Sequence, residues 1–439
     1  MKSISVFCLV GAILHLGCVN KQEGNRQTRQ QENELYRSVD SSAAILDHEY
    51  EDKPQVKNKT VLNLSDSNFN PLSFRKSYHN KRYKNGTVRR NQLSIIEQGD
   101  SYQLMEFSRG IGALIAMYEA TDSLEYLNEA IDLCKLIIQK CQEGRHISGN
   151  SEYFKDGYKG WVNQNPNKMK NKGPHMSEVP LFESYFFRYL SKLIYLMKQV
   201  ENEPASFGSD SQFFLDFVEI NGWEKWYIRG ERKSENCYPY LFRNRTHMTS
   251  HWAVVALYLN ELTNDSHKKN QYQDFLSRFD NQLKRNLKLT SDSAYVWNMT
   301  WDEPWPYGTH CNPAAAEAII QDVSHGNHVI TYIIESYELG RGDWTYSDLQ
   351  KFSNTIKYLI YDANNRRFNG DLGGKFIPKV ANGIQMADGF LKLARYDENL
   401  YSLFRSVYRA QYERYPFSMY EPQYVGEMFN AERHLRQRK

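Results

Sequence analysis

The chain lacks the charge surplus, paired cysteines and long apolar runs that identify several common protein classes. Its formal net charge is only +3 over 439 residues, which argues against a nucleic-acid binder, since such proteins carry a concentrated basic surplus. Beyond residue 18 no run approaches the roughly eighteen apolar residues of a membrane-spanning helix. Neither a zinc ribbon nor a disulfide framework is implied, because the cysteines beyond residue 18 show no CxxC pair and no regular spacing: Cys134, Cys141, Cys237 and Cys311.

The sequence also lacks the common cofactor and nucleophile motifs. We find no P-loop, no Rossmann fingerprint and no nucleophile elbow in a triad context. Two histidine pairs have spacings that would suit paired metal ligation, but neither has the intervening glutamate of the H-E-x-x-H metalloproteases. The sequence therefore predicts no organic cofactor and no metal, with a histidine-bound metal as the weaker alternative.

Residues 1–18 have the pattern of an export signal. Lys2 is followed by the apolar stretch ISVFCLVGAILHLG, and Leu16-Gly17-Cys18 is typical of the end of a bacterial lipobox. Cys18 would then carry the lipid of an outer- or inner-membrane anchor, facing the periplasm or the cell surface. His15 stands where that motif has an aliphatic residue, so a plain secretory signal or an uncleaved anchor stays open. The predicted organisation is a signal over 1–18, a flexible polar tether over 19–60 and a catalytic domain over 61–439.

The rest of the chain predicts an all-α fold of paired helices. Five helical hairpins are visible, and in each the first helix is more apolar and the second more amphipathic. First helices buried on all sides and second helices facing water on one side favour an (α/α) toroid, an incomplete barrel of about six hairpins. All inner helices would run the same way and gather their N-termini at one mouth. An open solenoid is the structural alternative.

Two histidine pairs mark the starts of two predicted inner helices. His247 and His251 are four residues apart and His325 and His328 three apart, so each pair lies on one helix face. Helix N-termini that carry ionisable groups and meet at one mouth indicate a reaction centre. The competing interpretation for any one histidine is a hydrogen-bonded core or capping residue.

Two loops rich in aromatic and polar residues precede inner helices. Residues 295–328 and 155–179 are too rich in Trp, Tyr, Asn and His to be simple connections. Aromatic residues make up 14% of the chain, and such an excess often lines sugar-binding clefts, although core packing accounts for most of it. We therefore expect sugar-stacking faces from these loops, namely Trp161, Trp297, Trp301, Trp305 and Tyr307.

These features resemble the toroid polysaccharide lyases, the group that includes alginate, glucuronan and chondroitin lyases. The resemblance covers 92–415 as architecture. Arg243-Asn244-Arg245-Thr246-His247 and His251-Trp252 are similar to the Asn/His/Trp lead-in of the alginate type, and Tyr307 stands in the place of the catalytic tyrosine. The chain departs from the contiguous Asn-Asn-His of that group, so which asparagine neutralises the substrate stays open.

The resemblance implies β-elimination of an acidic, uronate-containing polysaccharide by a monomeric lyase. Hydrogen-bond donors would neutralise the uronate carboxylate, and a Tyr/His pair would serve as acid and base. The catalytic set it implies is Tyr307, His251, His247, Arg245 and His325. The substrate-binding set is Arg243, Asn244, Trp161, Asn163, Glu178, Trp301, Trp305, His310, Asn312 and His328.

Two functional alternatives remain open. The first is a glycoside hydrolase on the same toroid, because Asp302, Glu303 and Asp322 could supply the carboxyl pair that hydrolysis requires. The second is a non-catalytic glycan-binding lipoprotein that uses the tryptophans without turnover.

Overall fold

Helices account for nearly all of the regular structure in the described chain. The computed structural model describes residues 87–165, 174–200, 204–234, 237–301, 307, 319–377, 383–412 and 421–438. The α-helices are α1 Thr87–Gln98, α2 Ser101–Thr121, α3 Leu124–Ile138, α4 Pro180–Gln199, α5 Ala205–Phe217, α6 Lys225–Lys233, α7 Thr246–Leu262, α8 Ser266–Asn286, α9 Val323–Glu338, α10 Tyr346–Asn354, α11 Glu398–Tyr412 and α12 Glu421–Gln437. Two π-helical segments, Val218–Glu224 and Thr355–Ile360, follow α5 and α10.

The inner elements form a closed ring. Around it, α2 packs on α4, α4 on α7, α7 on α9, α9 on the 3₁₀ segment Phe390–Arg395, that segment on α12, and α12 on α2. The outer helices α3, α5, α8 and α11 each pack against inner elements. The prediction of an all-α (α/α) toroid is thus confirmed, with the first segment of each hairpin inside. Closure by α12 excludes the open solenoid.

Burial explains which helix of a hairpin lies inside. Every residue of α7 except Glu261 is buried, as its apolar sequence on all faces predicts. Its partner α8 buries mainly the stripe that includes Tyr272, Phe275, Phe279 and Leu283, and leaves its charged face to solvent. The inner ring is therefore enclosed by the outer helices along its length.

The inner segment of the fifth hairpin departs from the predicted helix. It consists of two 3₁₀ turns, Ile384–Met386 and Phe390–Arg395. Between them, Gly389 approaches α9 so closely that a Cβ there would overlap the Asn327 carbonyl oxygen. The Asn327 side-chain oxygen accepts the Gly389 and Phe390 amides at 2.7 and 3.0 Å. These two amides would donate to backbone carbonyls in a continuous helix. Because they donate to the Asn327 side chain, the chain makes a tight turn here instead.

Short antiparallel strand pairs and isolated bridges organise the loops beside the inner helices. The strands are β1 Gln142–Glu143 with β2 Lys159–Gly160, β3 Lys288–Leu289 with β4 Tyr295–Val296, and β5 Tyr361–Asp362 with β6 Arg367–Phe368. Isolated bridges join Arg245 to Thr300 and Asp322 to Asp371. Because Arg245 and Asp322 immediately precede α7 and α9, these bridges lie at the mouth of the ring.

Two sequence expectations concern cysteines and membrane spans. Cys237 is disulfide-bonded, which the cysteine spacing did not indicate, whereas Cys134 and Cys141 are free thiols. Within the described ranges, no helix is long and apolar enough to cross a membrane. The predicted signal, Cys18 and the tether lie outside the described residues.

Candidate active site

The starts of α7 and α9 bring four histidines together. The His247 ring centroid lies 4.2 Å from that of His325, and the His251 centroid lies 4.5 Å from that of His328. Each pair on one helix is separated by about one turn, so the two stacked pairs form a column running from the mouth inward. We call these four residues the histidine column. The sequence placed them at one mouth; their catalytic role stays a prediction.

The outer end of the column is accessible and carries a carboxylate. The His325 side chain is 40% exposed, and its Nδ1 lies 2.6 Å from Asp322 Oδ2. Asp322 is also the N-cap of α9, where its Oδ1 accepts the His325 amide at 3.1 Å and the Ser324 hydroxyl at 2.6 Å. The negative charge is thus held at a helix N-terminus, where the helix dipole favours it.

The inner end of the column belongs to a buried hydrogen-bond network. The Tyr185 hydroxyl lies 2.9 Å from His328 Nε2, and His328 Nδ1 lies 3.0 Å from Asp388 Oδ2. Both contacts are satisfied when Tyr185 donates to Nε2 and Nδ1–H donates to Asp388. Arg188 pairs with the same carboxylate at 2.7 Å. Asp388 is therefore stabilised as an anion although it is fully buried.

Each inner element contributes a buried polar side chain to this depth of the ring. Tyr189 and Gln423 donate to Asp388 Oδ1 at 2.6 and 3.0 Å, and Gln423 also donates to the Tyr189 hydroxyl at 3.0 Å. Arg109 adds a nearby positive charge that acts on Arg188 and His328. We call the set the polar layer: Arg109, Tyr185, Arg188, Tyr189, His251, His328, Asp388 and Gln423.

Burial shifts the pKa values of the three buried histidines. Burial, reinforced by neighbouring positive charge, lowers the pKa of His247 and of His251 well below 6.5. The pKa of His328 is lowered to about 3, because burial outweighs the hydrogen bond to Asp388. Burial alone would raise the pKa of Asp388, but Arg188 and His328 hold it well below its usual value. The three buried imidazoles are therefore neutral at physiological pH.

Several buried polar atoms in this region have no hydrogen-bond partner within the described part of the chain. His251 is fully buried and both its ring nitrogens are unpartnered, as is His247 Nδ1. Gln423 Oε1 and Arg188 Nε are in the same state. Each such atom costs about 1–3 kcal/mol of lost hydration unless something else binds it.

Two acidic residues lie opposite each other at the mouth. Asp322 and Asp371 are opposite residues of an antiparallel bridge. The bonds Val323 N–H to Gly370 O at 2.8 Å and Leu372 N–H to Gln321 O at 3.0 Å flank them, so they form a non-hydrogen-bonded pair. Side chains of such pairs project to the same face with Cβ atoms about 4.5–5.5 Å apart.

The two carboxyl groups differ in their electrostatic surroundings. For Asp322, burial raises the pKa, but the His325 interactions and the Ser324 hydrogen bond outweigh it and lower the pKa below its usual value. For Asp371, burial and the charge of Asp322 raise the pKa, against amide hydrogen bonds from Lys375 and Gly373 at 2.8 and 2.9 Å. The environments therefore push the two pKa values apart.

Tyr307 does not lie with the histidine column. Its ring packs 5.0 Å from Tyr238 and 5.3 Å from Phe242, with the Arg278 guanidinium of outer helix α8 4.8 Å above it. Burial, followed by the charge of Asp274, raises its pKa. The expectation of an acid/base tyrosine beside His251 is corrected, since the charged groups that act on Tyr307 are Asp274 and Arg278 of outer helix α8 and not the histidines.

The expected sugar platforms are core residues. Trp161 is 2% exposed and donates to the Ile137 carbonyl at 2.9 Å, and Trp301 is 3% exposed and donates to the Arg243 carbonyl at 2.6 Å. Trp297 is also buried. These rings pack against helices instead of facing a cleft, so the stacking role expected of them is corrected.

The remaining predicted binding residues have structural contacts. Glu178 is fully buried between Lys225 and Arg229, each at 3.0 Å, and Asn163 donates to the Pro174 carbonyl at 2.9 Å. Arg243 donates to the Pro239 carbonyl at 3.1 Å. Arg245 contacts the Met299 sulfur, and the Asn244 carbonyl accepts the Trp301 amide at 3.2 Å. Trp305, His310, Asn312, Asp302 and Glu303 lie outside the described residues.

The sequence did not single out several residues of the site. Tyr185 and Arg188 are three residues apart and share a face of α4. The apolar residues around them made this segment look like an ordinary buried helix. Asp388 is an acidic residue in an otherwise apolar segment, which is a usable signal of a buried charge. Asp371 carried no sequence signal. Within the described ranges, no cluster of His, Cys, Asp or Glu side chains is arranged to hold a metal ion.

Comparison with solved structures shows a distant similarity. No family model and no curated protein matches the chain. A solved structure to which the chain is similar is that of an inactive variant of an α-1,6-mannanase from Salegentibacter sp. in complex with α-1,6-mannotetrose. It is 11% identical, with a TM-score of 0.40, over 75% of this chain and 88% of that chain.

The lyase assignment is wrong. The similar structure is an α-1,6-mannanase, which is a glycoside hydrolase and not a lyase. The contacts of Tyr307 with Tyr238 and Arg278 agree with this correction, because the elimination chemistry implied by the resemblance relied on a tyrosine beside the histidines.

Proposed function

We propose that this chain is a glycoside hydrolase acting at the mouth of the toroid. Asp371 is the proton donor and Asp322, paired with His325, is the ionised partner. This is the hydrolase alternative considered from the sequence, with Asp322 retained and Asp371 added. Asp302 and Glu303 are not required for it.

One observation carries the proposal: two acidic side chains occupy opposite positions of a bridge at the mouth, and their pKa values shift in opposite directions. Like charges directly opposite in a sheet are destabilising, so packing does not favour this pair. Two neighbouring carboxyl groups with separated pKa values are the arrangement by which glycosidases keep one acid protonated and the other ionised.

The geometry supports a simple division of labour. Asp371, whose pKa is raised, donates its proton to the glycosidic oxygen as the bond from that oxygen to the anomeric carbon breaks. Asp322 stabilises the positive charge that develops on the sugar. A water attacks the anomeric carbon, and its proton passes to the Asp322–His325 pair, whose atoms are 2.6 Å apart.

The carboxyl pair and the neutral histidines favour a neutral glycan. An ionised Asp322 beside a second carboxyl group would repel a uronate carboxylate. Burial keeps His247 and His251 neutral, so they supply no positive charge to neutralise one. The substrate class proposed is therefore a neutral polysaccharide, and α-1,6-mannan is a suitable first probe because mannotetrose is the ligand in the similar structure.

The test measures release of reducing ends. The full chain is incubated with α-1,6-mannan, dextran, xylan and, as an acidic polymer, alginate. We expect turnover of a neutral polymer, and Asp371→Asn should lower kcat by about 10²–10⁴, as expected for loss of a positioned proton donor. Asparagine keeps the side-chain oxygen that accepts the Gly373 and Lys375 amides, so the turn should persist.

Asp265→Asn is the matched control for the partner carboxylate. Asp265 caps outer helix α8 by accepting the His267 and Lys268 amides, as Asp322 caps α9. Asparagine is an equally good cap, so both Asp265→Asn and Asp322→Asn should fold normally. Only Asp322→Asn should lose activity. Undiminished hydrolysis by Asp371→Asn, or cleavage of alginate alone, would contradict the proposal.

Export and lipid anchoring at Cys18 also belong to this proposal, as does a monomeric state. The disulfide at Cys237 supports an oxidising compartment outside the cytoplasm. Metabolic labelling of the full chain with a radioactive fatty acid, with Cys18→Ser as the comparison, tests the anchor.

A further inference from the structure

The polar layer contains several buried hydrogen-bonding groups that have no partner in the described part of the chain. Within the described part of the chain, His251 lacks a partner at both ring nitrogens, Gln423 at Oε1 and Arg188 at Nε. All three side chains are at most 1% exposed. They come from three different inner elements, so no single local distortion accounts for them.

The orphaned groups lie beneath the proposed reaction centre. His251 is one helical turn below His247, and His328 is one turn below His325, which contacts Asp322 at the mouth. The His251 ring lies 3.9 Å from the Tyr185 ring and 4.5 Å from the His328 ring. The unpartnered nitrogens of His251 therefore lie about one helical turn inward of His247, on the inner side of the carboxyl pair.

The chemistry of these groups points to a hydroxylated ligand. A neutral imidazole offers one donor and one acceptor, an amide oxygen offers an acceptor, and a guanidinium N–H offers a donor. A carboxylate or phosphate has only acceptors when ionised and would leave the amide oxygen and one imidazole nitrogen unsatisfied. A sugar carries several hydroxyls, each both donor and acceptor, and can satisfy all of them.

We propose that the polar layer is the inner sugar subsite of this protein and that His251 is its specificity-determining residue, binding hydroxyls of the sugar that lies inward of the scissile bond. This inference rests on the proposed hydrolase function for the position of that bond. The recognition of a neutral sugar by His251 and Gln423 is a separate claim and is tested by binding.

The experiment compares sugar binding by two inactive proteins. Binding of α-1,6-mannotetrose, D-mannose, D-glucose, D-galactose and D-xylose is measured by isothermal titration calorimetry, first with Asp371→Asn and then with Asp371→Asn carrying His251→Phe. Phenylalanine keeps a planar ring against Tyr185 and removes both nitrogens. We expect binding of at least one of these sugars, weakened about tenfold or more by His251→Phe.

Stability measurements separate recognition from folding. Replacing a polar group that has no partner by an apolar one of similar shape is neutral or stabilising, so ligand-free His251→Phe should melt no lower than the parent protein. His251→Gln, which keeps a donor and an acceptor, should recover part of the binding. His434→Phe, at the opposite end of the inner ring on α12, is the matched control and should bind like the parent.

The outcomes distinguish the two proposals. Unchanged binding and unchanged KM in His251→Phe would overturn the subsite even if Asp371 proves essential for hydrolysis. Failure of Asp371→Asn to lose activity would overturn the carboxyl-pair mechanism, while binding that depends on His251 would keep the subsite. Binding of none of the sugars by the full chain would overturn the subsite.

Discussion

At the scale of single residues, the Arg188–Asp388 pair is the most strongly buried charge interaction of the site. Its atoms are 2.7 Å apart and the two side chains are 1% and 0% exposed. Arg188→Met should lower the free energy of unfolding by about 3–5 kcal/mol, because it leaves the Asp388 charge buried without its cation. Urea denaturation followed by circular dichroism measures this loss.

The control for this prediction is the pair of Arg341 and Glu261, 2.6 Å apart with the arginine side chain 45% exposed. Arg341→Met should cost less than about 1 kcal/mol, since water screens an exposed ion pair. Equal costs for the two substitutions would show that Asp388 keeps enough stabilisation from Tyr189, His328 and Gln423 alone.

Sequence reasoning reached some residues of the site and not others, for a physical reason. His247 with His251 and His325 with His328 were found because helix periodicity links residues three or four apart. Asp388 lies sixty residues from His328, its hydrogen-bond partner, and Asp371 meets Asp322 only through a bridge between two loops. Such pairings depend on how the ring closes, which local spacing does not encode.

At the scale of elements, Gly389 fixes how the fifth inner segment meets α9. Gly389→Ala should lower the free energy of unfolding by about 1–3 kcal/mol, because its Cβ would overlap the Asn327 carbonyl and force the segment away. It should also weaken sugar binding, since the neighbouring Asp388 positions His328. Thermal unfolding and calorimetric titration measure the two effects.

Gly340→Ala provides the comparison. Gly340 follows α9 with φ +63° and has no atom within 4 Å of an added Cβ, so only backbone strain of about 1–2 kcal/mol is expected there. Sugar binding should be unchanged. If Gly389→Ala behaves like Gly340→Ala, the close approach to α9 is not a constraint on the site.

The pattern of apolar residues predicted the hairpins well, because the spacing of apolar residues shows whether a helix is buried on one face or on all faces. It predicted a helix over the segment that contains Gly383 and Gly389, where a tertiary contact with Asn327 decides the geometry instead. The tryptophans illustrate the same limit. Their number suggested a sugar cleft, but number does not tell whether a ring faces a cleft or the core.

At the scale of the whole molecule, the neutral histidines make stability depend on pH. Burial lowers the pKa of His251 well below 6.5, so below about pH 6.5 the unfolded chain binds a proton there and the folded protein does not. The stability of the folded protein that depends on a neutral His251 is therefore fully present above about pH 6.5, and it is lost as the pH falls. Glu183 and Asp280 act in the opposite direction, because burial raises their pKa to about 7 and about 6.

His251→Phe isolates the histidine from these opposing groups. Relative to the parent protein, its free energy of unfolding should increase as pH falls below about 6.5, by up to about 1.4 kcal/mol per pH unit. At about pH 8, where both states carry a neutral imidazole, the difference should be constant. Denaturation curves across this range measure it, and a difference that does not vary with pH would mean that His251 is protonated in the folded protein.

Closure of the ring also sets the order in which the protein can assemble. Glu119 of α2 accepts hydrogen bonds from Asn430 and Arg433 of α12 at 2.9 and 2.8 Å, across sequence separations of 311 and 314 residues. Contacts of such separation cost much loop-closure entropy and slow folding. Synthesis proceeds from the N-terminus, so the face of α2 that packs on α12 has no partner until α12 has left the ribosome. For most of synthesis the unfinished ring therefore exposes this apolar face, which is the kind of surface that chaperones bind.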